Sequence, residues 1–146
     1  FEVLKFRSMI ENAEQNMGAR WAEKNDDRVT RVGSAIRKYR IDELPQILNV
    51  LRGKMSFVGP RPERPEFVKI LGEKIPYYAK RHYVKPGITG PATIKYSNED
   101  KILSKQIDPL KYNDEVIWPD KVKINKEYIN NCSLWKDIGY LFASVF

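Results

Sequence analysis

The chain has 146 residues, of which 42% are hydrophobic, and this suits one compact domain with its own core. It has 26 Lys and Arg residues against 19 Asp and Glu residues, a net charge of +7, which favours an anionic partner: a nucleic acid, a membrane surface or a phosphorylated substrate. One cysteine and one histidine exclude an internal disulfide and a zinc site of the usual ligands, and no apolar stretch is long enough to span a bilayer.

The first forty residues predict two helices. Apolar residues recur at helical spacing within residues 4–27, from Phe6 to Met17, and they predict a long amphipathic helix. A second, shorter helix is expected to start at Thr30, as its N-cap, and to run to about Tyr39.

A third helix is predicted over residues 42–51. Asp42 is a favourable N-cap residue, Glu43 falls in the first turn, and Gly53 ends the helix. Four apolar residues at helical spacing are expected to form its buried stripe: Leu44, Ile47, Leu48 and Leu51.

Prolines and glycines interrupt the middle of the chain. Residues 56–67 contain three prolines and a glycine, and most of this segment is predicted to be irregular. Residues 65–84 predict two short helical pieces that separate near Gly72 and Pro76. A turn then leads into a predicted strand over residues 92–96.

The last third predicts three helices. The first is capped by Ser97 or Asn98, and the second has Pro119 in its first turn. The third, over residues 133–146, is amphipathic, and its apolar face suits either the core or a membrane surface. That face consists of Leu134, Trp135, Ile138, Leu141, Phe142 and Val145. The pattern as a whole predicts a mixed α/β fold, mainly helical with short strands, in a single domain over residues 1–146.

Two adjacent carboxylates, Asp42 and Glu43, lie in a run of positive charge. Neighbouring helical residues point about 100° apart, so the two carboxylates need not serve the same atom. The start of a helix offers unpaired amides and the positive end of its dipole, which bind phosphate readily. A helix cap with no chemical role is the alternative that these two residues leave open.

Cations surround the carboxylate pair. Arg61 lies between Pro60 and Pro62, which fix the backbone on both sides, so its guanidinium can hold a phosphate with little ordering cost. Together with a carboxylate able to attack phosphorus or to bind Mg²⁺, these groups suggest phosphoryl transfer. The alternative is that the cations form an ordinary solvated surface. The other nearby cations are Arg37, Lys38, Arg40 and Arg64.

Three motifs at characteristic spacing resemble the bacterial sugar transferase family, the monotopic phosphoglycosyl transferases that initiate glycan assembly. They are "KFRSM" at residues 5–9, "DELPQ" through "NVLRGKMSFVGPRP" at residues 42–62, and "RHYVKPGITG" at residues 81–90. The similarity is close over residues 5–90 and looser beyond them. After "PGITG", residues 91–96 depart from the usual family sequence in a region expected to contact the nucleotide sugar, so the sugar stays open.

The resemblance implies a reaction and its partners. Such enzymes transfer a sugar-1-phosphate from a UDP-sugar to a polyprenyl phosphate, here expected to be undecaprenyl phosphate, and release UMP with the help of Mg²⁺. By motif position, Asp42 is the nucleophile that carries the phosphosugar covalently, and Glu43 is the neighbouring acid/base or metal-orienting carboxylate. The same two residues are expected at the metal.

The resemblance also implies a set of substrate-binding residues. Arg37 and Arg61 are expected to hold phosphate. His82, the lone histidine, is either structural or a phosphate donor. Lys5, Arg7 and Pro60 are also expected to bind substrate. Arg40 is expected to do so too, although it departs from the family pattern, in which many relatives have Ser-Leu before the Asp-Glu pair.

The family resemblance further implies a place in the cell. It predicts a re-entrant hydrophobic helix upstream of Phe1 and a membrane-associated catalytic domain at the cytoplasmic face of the bacterial inner membrane. Two other functions stay open at this point. One is a catalytically silent membrane scaffold of the same fold. The other is a basic nucleic-acid-binding module, although no recognition motif supports it.

Overall fold

The computed structural model of the protein describes residues 1–13 and 26–145, and this part of the chain is mainly helical. Its helices are α1 (Arg31–Lys38), α2 (Gln46–Leu51), α3 (Pro65–Lys74), α4 (Pro91–Lys95), α5 (Glu99–Leu103), α6 (Pro109–Tyr112), α7 (Trp118–Asn131) and α8 (Leu134–Val145). Its strands are β1 (Ser56–Val58) and β2 (Gly87–Thr89). Two 3₁₀ turns, Ile41–Glu43 and Tyr78–Tyr83, and a π-helical turn, Asn113–Ile117, complete the described elements. The predicted class, mainly helical with short strands, is confirmed.

The N-terminal segment is extended where a helix is predicted over residues 4–27. Met9 forms an antiparallel bridge with Val29, and Phe6 of the expected buried face is exposed. The helix predicted from this spacing is therefore wrong for the described beginning of the segment. The backbone there is extended and pairs with the chain just before α1. The rest of the predicted helix, residues 14–25, lies outside the described residues.

The predicted cap of α1 is confirmed. The Thr30 hydroxyl oxygen accepts a hydrogen bond from the Gly33 amide at 2.8 Å, as an N-cap does. A Cβ atom at Gly33 would lie 1.9 Å from the Ser8 carbonyl oxygen, so only glycine lets α1 approach the N-terminal segment this closely.

The third predicted helix starts later than expected. Asp42 and Glu43 lie in a separate 3₁₀ turn, and α2 begins only at Gln46. The turn is closed by a 3₁₀-type hydrogen bond from the Leu44 amide to the Ile41 carbonyl at 3.1 Å, and Arg40 before it adopts a left-handed conformation with φ 55°. The prediction of Asp42 as the N-cap of this helix is therefore wrong, and so is the phosphate-binding helix start that was derived from it.

The buried face of α2 is polar, which also overturns the prediction. Gln46 and Asn49 are buried, whereas Leu44, Ile47, Leu48 and Leu51 are all exposed. Asn49 explains the inversion, because its side chain donates to the Glu2 carbonyl at 2.8 Å and accepts from the Leu4 amide at 3.1 Å. The extended N-terminal segment covers this face of α2 and requires polar partners for its backbone.

The strands form a parallel pair in which Ser56 is opposite Gly87 and Val58 is opposite Thr89. A Cβ atom at Gly87 would lie 2.1 Å from the Gly59 amide nitrogen, so the pair depends on glycine at this position. The strand predicted over residues 92–96 is wrong: this segment is α4, whose first residue is a proline in the position that favours helix initiation.

The main core cluster lies between α3, the second 3₁₀ turn and α7. Leu71, Tyr78 and Trp118 are buried there, with the Tyr78 and Trp118 rings edge to face at 6.3 Å. The break predicted near Pro76 is confirmed, whereas α3 continues through Gly72.

The C-terminal helices follow the prediction in position. α5 comes directly after the predicted caps, and α7 contains Pro119 in its first turn. Trp135 and Phe142 on α8 are exposed, so these two aromatic residues of its apolar face do not belong to the core. The Tyr128 hydroxyl of α7 connects α8 to β1, because it lies 2.9 Å from Asp137 Oδ1 and 3.3 Å from the Val58 carbonyl.

Candidate active site

A cavity of about 460 Å³ opens where the carboxyl ends of the two parallel strands meet. The loop after β1 brings Arg61 to the cavity, and α4, directly after β2, brings Ala92 and Thr93. The 3₁₀ turn of the carboxylate pair and one face of α7 complete the walls. The ends of parallel strands are a common position for ligand sites, and the volume suits a ligand of nucleotide size.

Asp42 and Glu43 line this cavity together, and each is only 8% exposed. The Asp42 carbonyl accepts a hydrogen bond from the Phe6 amide at 2.9 Å, so the N-terminal segment holds the turn in place. The sequence prediction that these two residues share a site with nearby cations is consistent with this arrangement.

The Glu43 carboxylate is paired with two cations. Its Oε2 accepts from Arg61 Nη1 at 3.2 Å, and its Oε1 accepts from Arg61 Nη2 and from Lys5 Nζ, the latter at 3.3 Å. Burial alone would raise the pKa of Glu43, but the hydrogen bond and charge of Arg61, with Lys5, outweigh burial and hold that pKa below its ordinary value. Glu43 is therefore ionised at neutral pH.

Arg61 is held by its backbone as well as by Glu43. Its carbonyl oxygen accepts a hydrogen bond from Arg81 Nη2, and Arg81 Nη1 also donates to the Tyr78 hydroxyl at 2.6 Å. The Arg81 guanidinium lies 4.8 Å from the centre of the Tyr78 ring, and burial raises the pKa of Tyr78 to about 12. Burial would lower the pKa of Arg61, but the Glu43 carboxylate outweighs burial and raises it. Arg61 is thus a fixed and permanent positive charge.

Two further cations line the same end of the cavity. Arg37 extends from α1, and its Nε donates to the Ser8 hydroxyl at 2.7 Å. Ser8 is buried, so this contact fixes the guanidinium beside the cavity. Arg40, the left-handed residue before the 3₁₀ turn, is more exposed but also lines the cavity.

The remaining predicted site residues lie elsewhere. Arg7 pairs with Glu11 at 2.6 Å on the exposed surface, and His82 is exposed and does not line the cavity. Pro60 is fully buried, and its carbonyl accepts from the Gly87 amide at 3.0 Å, so it contributes to the strand pair. Substrate binding by these three residues stays a prediction.

The sequence model of the family described as "Bacterial sugar transferase" matches residues 1–146. The chain belongs to the bacterial sugar transferase family.

Curated relatives support this assignment. The chain is 43% identical to the UDP-N-acetylgalactosamine-undecaprenyl-phosphate N-acetylgalactosaminephosphotransferase of Aeromonas hydrophila, over 99% of this chain and 31% of the relative. It is 40% identical to the UDP-glucose:undecaprenyl-phosphate glucose-1-phosphate transferase of Escherichia coli, over 99% of this chain and 29% of the relative. A protein of Caulobacter vibrioides with that same description is 37% identical, over 99% of this chain and 50% of the relative. The chain thus spans half or less of the length of these relatives.

Several residues that line the cavity were missed by the sequence reasoning. Trp118, Lys121 and Asn125 lie on one face of α7 at helical spacing, and that spacing was the available signal. Arg81, rather than its neighbour His82, lines the cavity. Glu63, Ser97 and Glu99 were missed as well, whereas Thr93 and Tyr96 fall within residues 91–96, the region expected to contact the nucleotide sugar.

Of the two missed carboxylates that line the cavity, Glu63 is more deeply buried than Glu99. Its Oε1 lies 4.0 Å from Arg81 Nη2, and its side chain is mostly shielded from solvent. Burial raises the pKa of Glu63 above its ordinary value, although Arg81, Arg61 and Lys121 oppose this shift.

The described residues contain no cluster of three or more His, Cys, Asp or Glu side chains that could hold a metal ion. A metal at the carboxylate pair would therefore need ligands from a substrate. Mg²⁺ commonly binds in this way, through one or two carboxylates together with substrate phosphates.

Proposed function

We propose that this chain transfers a sugar-1-phosphate from a UDP-sugar to a polyprenyl phosphate and releases UMP. The observation that carries the proposal is the buried Asp42–Glu43 pair at the end of the cavity where Lys5, Arg37 and Arg61 converge. Such a site attracts a diphosphate and can neutralise the charge that develops as it is cleaved. The names of the relatives, which are undecaprenyl-phosphate transferases, support the reaction class and undecaprenyl phosphate as acceptor.

Asp42 is the better placed nucleophile of the two carboxylates. Both oxygens of Glu43 accept hydrogen bonds from cations, whereas no side chain or amide of the described residues donates one to the Asp42 carboxylate. A carboxylate oxygen with free lone pairs can attack phosphorus and form an acyl phosphate.

The reaction balances over two displacements. In the first, an Asp42 carboxylate oxygen forms a bond to the β-phosphorus, which carries the sugar, and the bond from that phosphorus to UMP breaks. In the second, a phosphate oxygen of the polyprenyl phosphate attacks the same phosphorus, and the Asp42 carboxylate leaves. The acceptor then carries the sugar through a diphosphate, and the enzyme returns to its starting state.

Glu43 acts by positioning. Its ionised carboxylate orients Arg61 and Lys5 at the cavity wall, where they can hold phosphate oxygens of both substrates. Arg37, held by the Ser8 hydroxyl, completes the phosphate-binding set. The roles of Arg37 and Arg61 are those that the family resemblance implies, whereas the resemblance implies an acid/base or metal-orienting role for Glu43.

The residues present fit Mg²⁺ when a diphosphate is bound with it. Asp42 has a carboxylate available as a ligand, and Glu43, whose oxygens are already occupied, is expected beside the ion. When bound, Mg²⁺ neutralises charge on the diphosphate and so lowers its repulsion from the two carboxylates.

We further propose that the chain works at a membrane surface, on the cytoplasmic face of the bacterial inner membrane. The exposed apolar face of α2 follows directly after the carboxylate pair, and the exposed cations Arg40, Arg52 and Lys54 flank it. An apolar face bordered by cations suits an anionic lipid surface and brings the pair to the head group of a membrane lipid. None of the described helices is both long and apolar enough to traverse a bilayer.

A UMP-release assay on the full-length protein tests the reaction. Undecaprenyl phosphate is offered with a series of UDP-sugars, and mass spectrometry follows a phosphosugar adduct on the protein. Asp42→Asn is expected to abolish both the UMP and the adduct, whereas Asp114→Asn, at an exposed surface aspartate, retains them. Full turnover by Asp42→Asn contradicts the covalent role. Absence of turnover with every donor favours the catalytically silent scaffold. Absence of turnover together with salt-sensitive binding of nucleic acid favours the basic nucleic-acid-binding module.

A further inference from the structure

The cavity extends well beyond the carboxylate pair. Its second end is formed by Glu63 after the Pro-Arg-Pro segment, Tyr96 after α4, Glu99 on α5, and Lys121 and Asn125 on α7. The reaction proposed above uses only the first end, so the second end is available for another part of a substrate.

Charge differs between the two ends. At the first end, four cations (Lys5, Arg37, Arg40 and Arg61) face the two carboxylates of Asp42 and Glu43. At the second end the charges balance, because Glu63 lies 4.0 Å from Arg81 and Glu99 accepts from Lys121 at 2.7 Å. Phosphates are therefore drawn to the first end, and an uncharged group is better accommodated at the second.

The second end is rich in hydrogen-bonding groups held in fixed positions. Asn125 lines the cavity, and its Oδ1 is buried without a hydrogen-bond partner among the described residues. Lys121 Nζ lies 5.5 Å from the centre of the Tyr96 ring and 4.7 Å from that of Trp118, which fixes it beside Glu99. A buried amide oxygen without a donor is costly, and a ligand hydroxyl group would satisfy it.

We propose that this second end binds hydroxyl groups of the sugar ring of the donor, and that Asn125 and the Glu99–Lys121 pair thereby determine which UDP-sugar is used. The inference rests on the proposed function, which places the sugar-bearing phosphorus at Asp42. Carboxylates and amides accept hydrogen bonds from hydroxyl groups, and a site built for such bonds rejects a sugar whose hydroxyl is missing or differently oriented.

The test uses two variants that keep the size of the side chain. Asn125→Leu removes the hydrogen-bonding groups, and Glu99→Gln removes the negative charge. The kcat/KM for UMP release by the full-length protein is measured with UDP-glucose, UDP-galactose and their two N-acetylated counterparts. The ratio between the preferred donor and its C4 epimer is expected to change by about tenfold in each variant. Inhibition by UMP, which lacks the transferred sugar of the donor, is expected to change by less than about twofold, because the phosphate and nucleoside contacts remain.

Matched controls lie on the exposed side of α7. Asn131→Leu and Glu127→Gln make the same changes at exposed residues outside the cavity and are expected to leave the donor ratios unchanged. An equal fall in kcat/KM for all four donors overturns the proposal. So does a loss of UMP inhibition as large as the loss of donor activity, because the second end would then bind the nucleoside.

Direct binding separates this inference from the reaction on which it rests. If the wild-type protein turns over none of the donors, calorimetry compares UDP with each UDP-sugar. Tighter binding of one UDP-sugar than of UDP, with the difference reduced in Asn125→Leu, supports the sugar site even though the reaction fails. Equal binding of UDP and every UDP-sugar overturns it.

Discussion

Arg61 donates to Glu43 from both terminal nitrogens of its guanidinium group, so that each carboxylate oxygen of Glu43 accepts one of these hydrogen bonds. The Arg61 carbonyl accepts a hydrogen bond from Arg81, which fixes the backbone of the same residue. Glu43 and Arg81 therefore hold Arg61 in position from two sides before any substrate binds. A planar guanidinium can form such a two-point contact, and a lysine ammonium cannot.

Arg61→Lys is expected to lower kcat/KM for UMP release on the order of 100-fold, the effect of removing one fixed donor to a developing negative charge. The acid limb of the pH–rate profile should also move to higher pH. The reason is that Arg61 opposes the effect of burial on Glu43, and without it the pKa of that carboxyl rises. Arg64→Lys, three residues away and outside the cavity, serves as the control. An unchanged acid limb in Arg61→Lys would show that the ionisation of Glu43 does not limit the reaction.

Glu63 predicts a dependence of stability on pH. Burial raises its pKa above the ordinary value of 4.5, so the folded chain binds this proton more tightly than the unfolded chain does. The contribution of the protonated Glu63 to the stability of the folded chain is complete below the pKa of Glu63 in the unfolded chain. It is lost as the pH rises through the pKa of Glu63 in the folded chain. The glutamine of Glu63→Gln does not titrate. The free energy of unfolding of this variant should therefore rise relative to that of wild type as the pH increases from about 4 to about 7.

Urea denaturation at a series of pH values measures that difference. Glu115→Gln, at an exposed glutamate, is the matched control and should show less change with pH relative to wild type. A difference between Glu63→Gln and wild type that is constant across the range contradicts the stated effect of burial on Glu63.

Local signals in the sequence predicted some elements well. Thr30 is the cap of α1, Pro119 lies in the first turn of α7, and the Asp42–Glu43 pair does share a cavity with Arg61. Each of these depends on residues that are close in sequence or on a continuous motif. The caps and proline positions act through neighbouring backbone groups, which the sequence shows directly.

Long-range pairing explains the elements that local signals mispredicted. Asn49 is buried because the extended segment from Glu2 to Leu4 needs its amide, and this contact joins residues far apart in sequence. Likewise β1 and β2 form where Gly59 and Gly87 approach, rather than where β-branched residues are concentrated. The second end of the cavity was missed for this reason too, because α5 and α7 reach it only through the tertiary fold.

The close approach of the strands predicts a large effect of one methyl group. A Cβ atom at Gly87 would lie 2.1 Å from the Gly59 amide nitrogen, and backbone on both sides leaves no flexible side chain to move away. Gly87→Ala is expected to lower the free energy of unfolding by about 3 kcal/mol. A methyl group at Gly139, in α8, would meet no described atom of a neighbouring element within 4 Å, and Gly139→Ala should instead stabilise by about 0.5–1 kcal/mol. Chemical denaturation measures the free energy of unfolding of both variants. Equal changes in the two variants would show that the close contact between the strands is not the cause of the loss of stability.

The exposed apolar face of α2 predicts membrane binding that can be separated from folding. Leu44, just before α2, and Leu48, within it, are about half exposed and follow the carboxylate pair closely. Leu44→Glu combined with Leu48→Glu should greatly reduce co-sedimentation with vesicles of phosphatidylglycerol and phosphatidylethanolamine, because the apolar surface and the attraction to anionic lipid are both lost. The free energy of unfolding should change by less than about 1 kcal/mol, since neither leucine is in the core.

Val32→Glu, at an exposed residue of α1, is the control and should retain binding. If the double variant sediments like wild type, this face is not the membrane contact, and a large loss of stability would instead indicate that another part of the protein covers it.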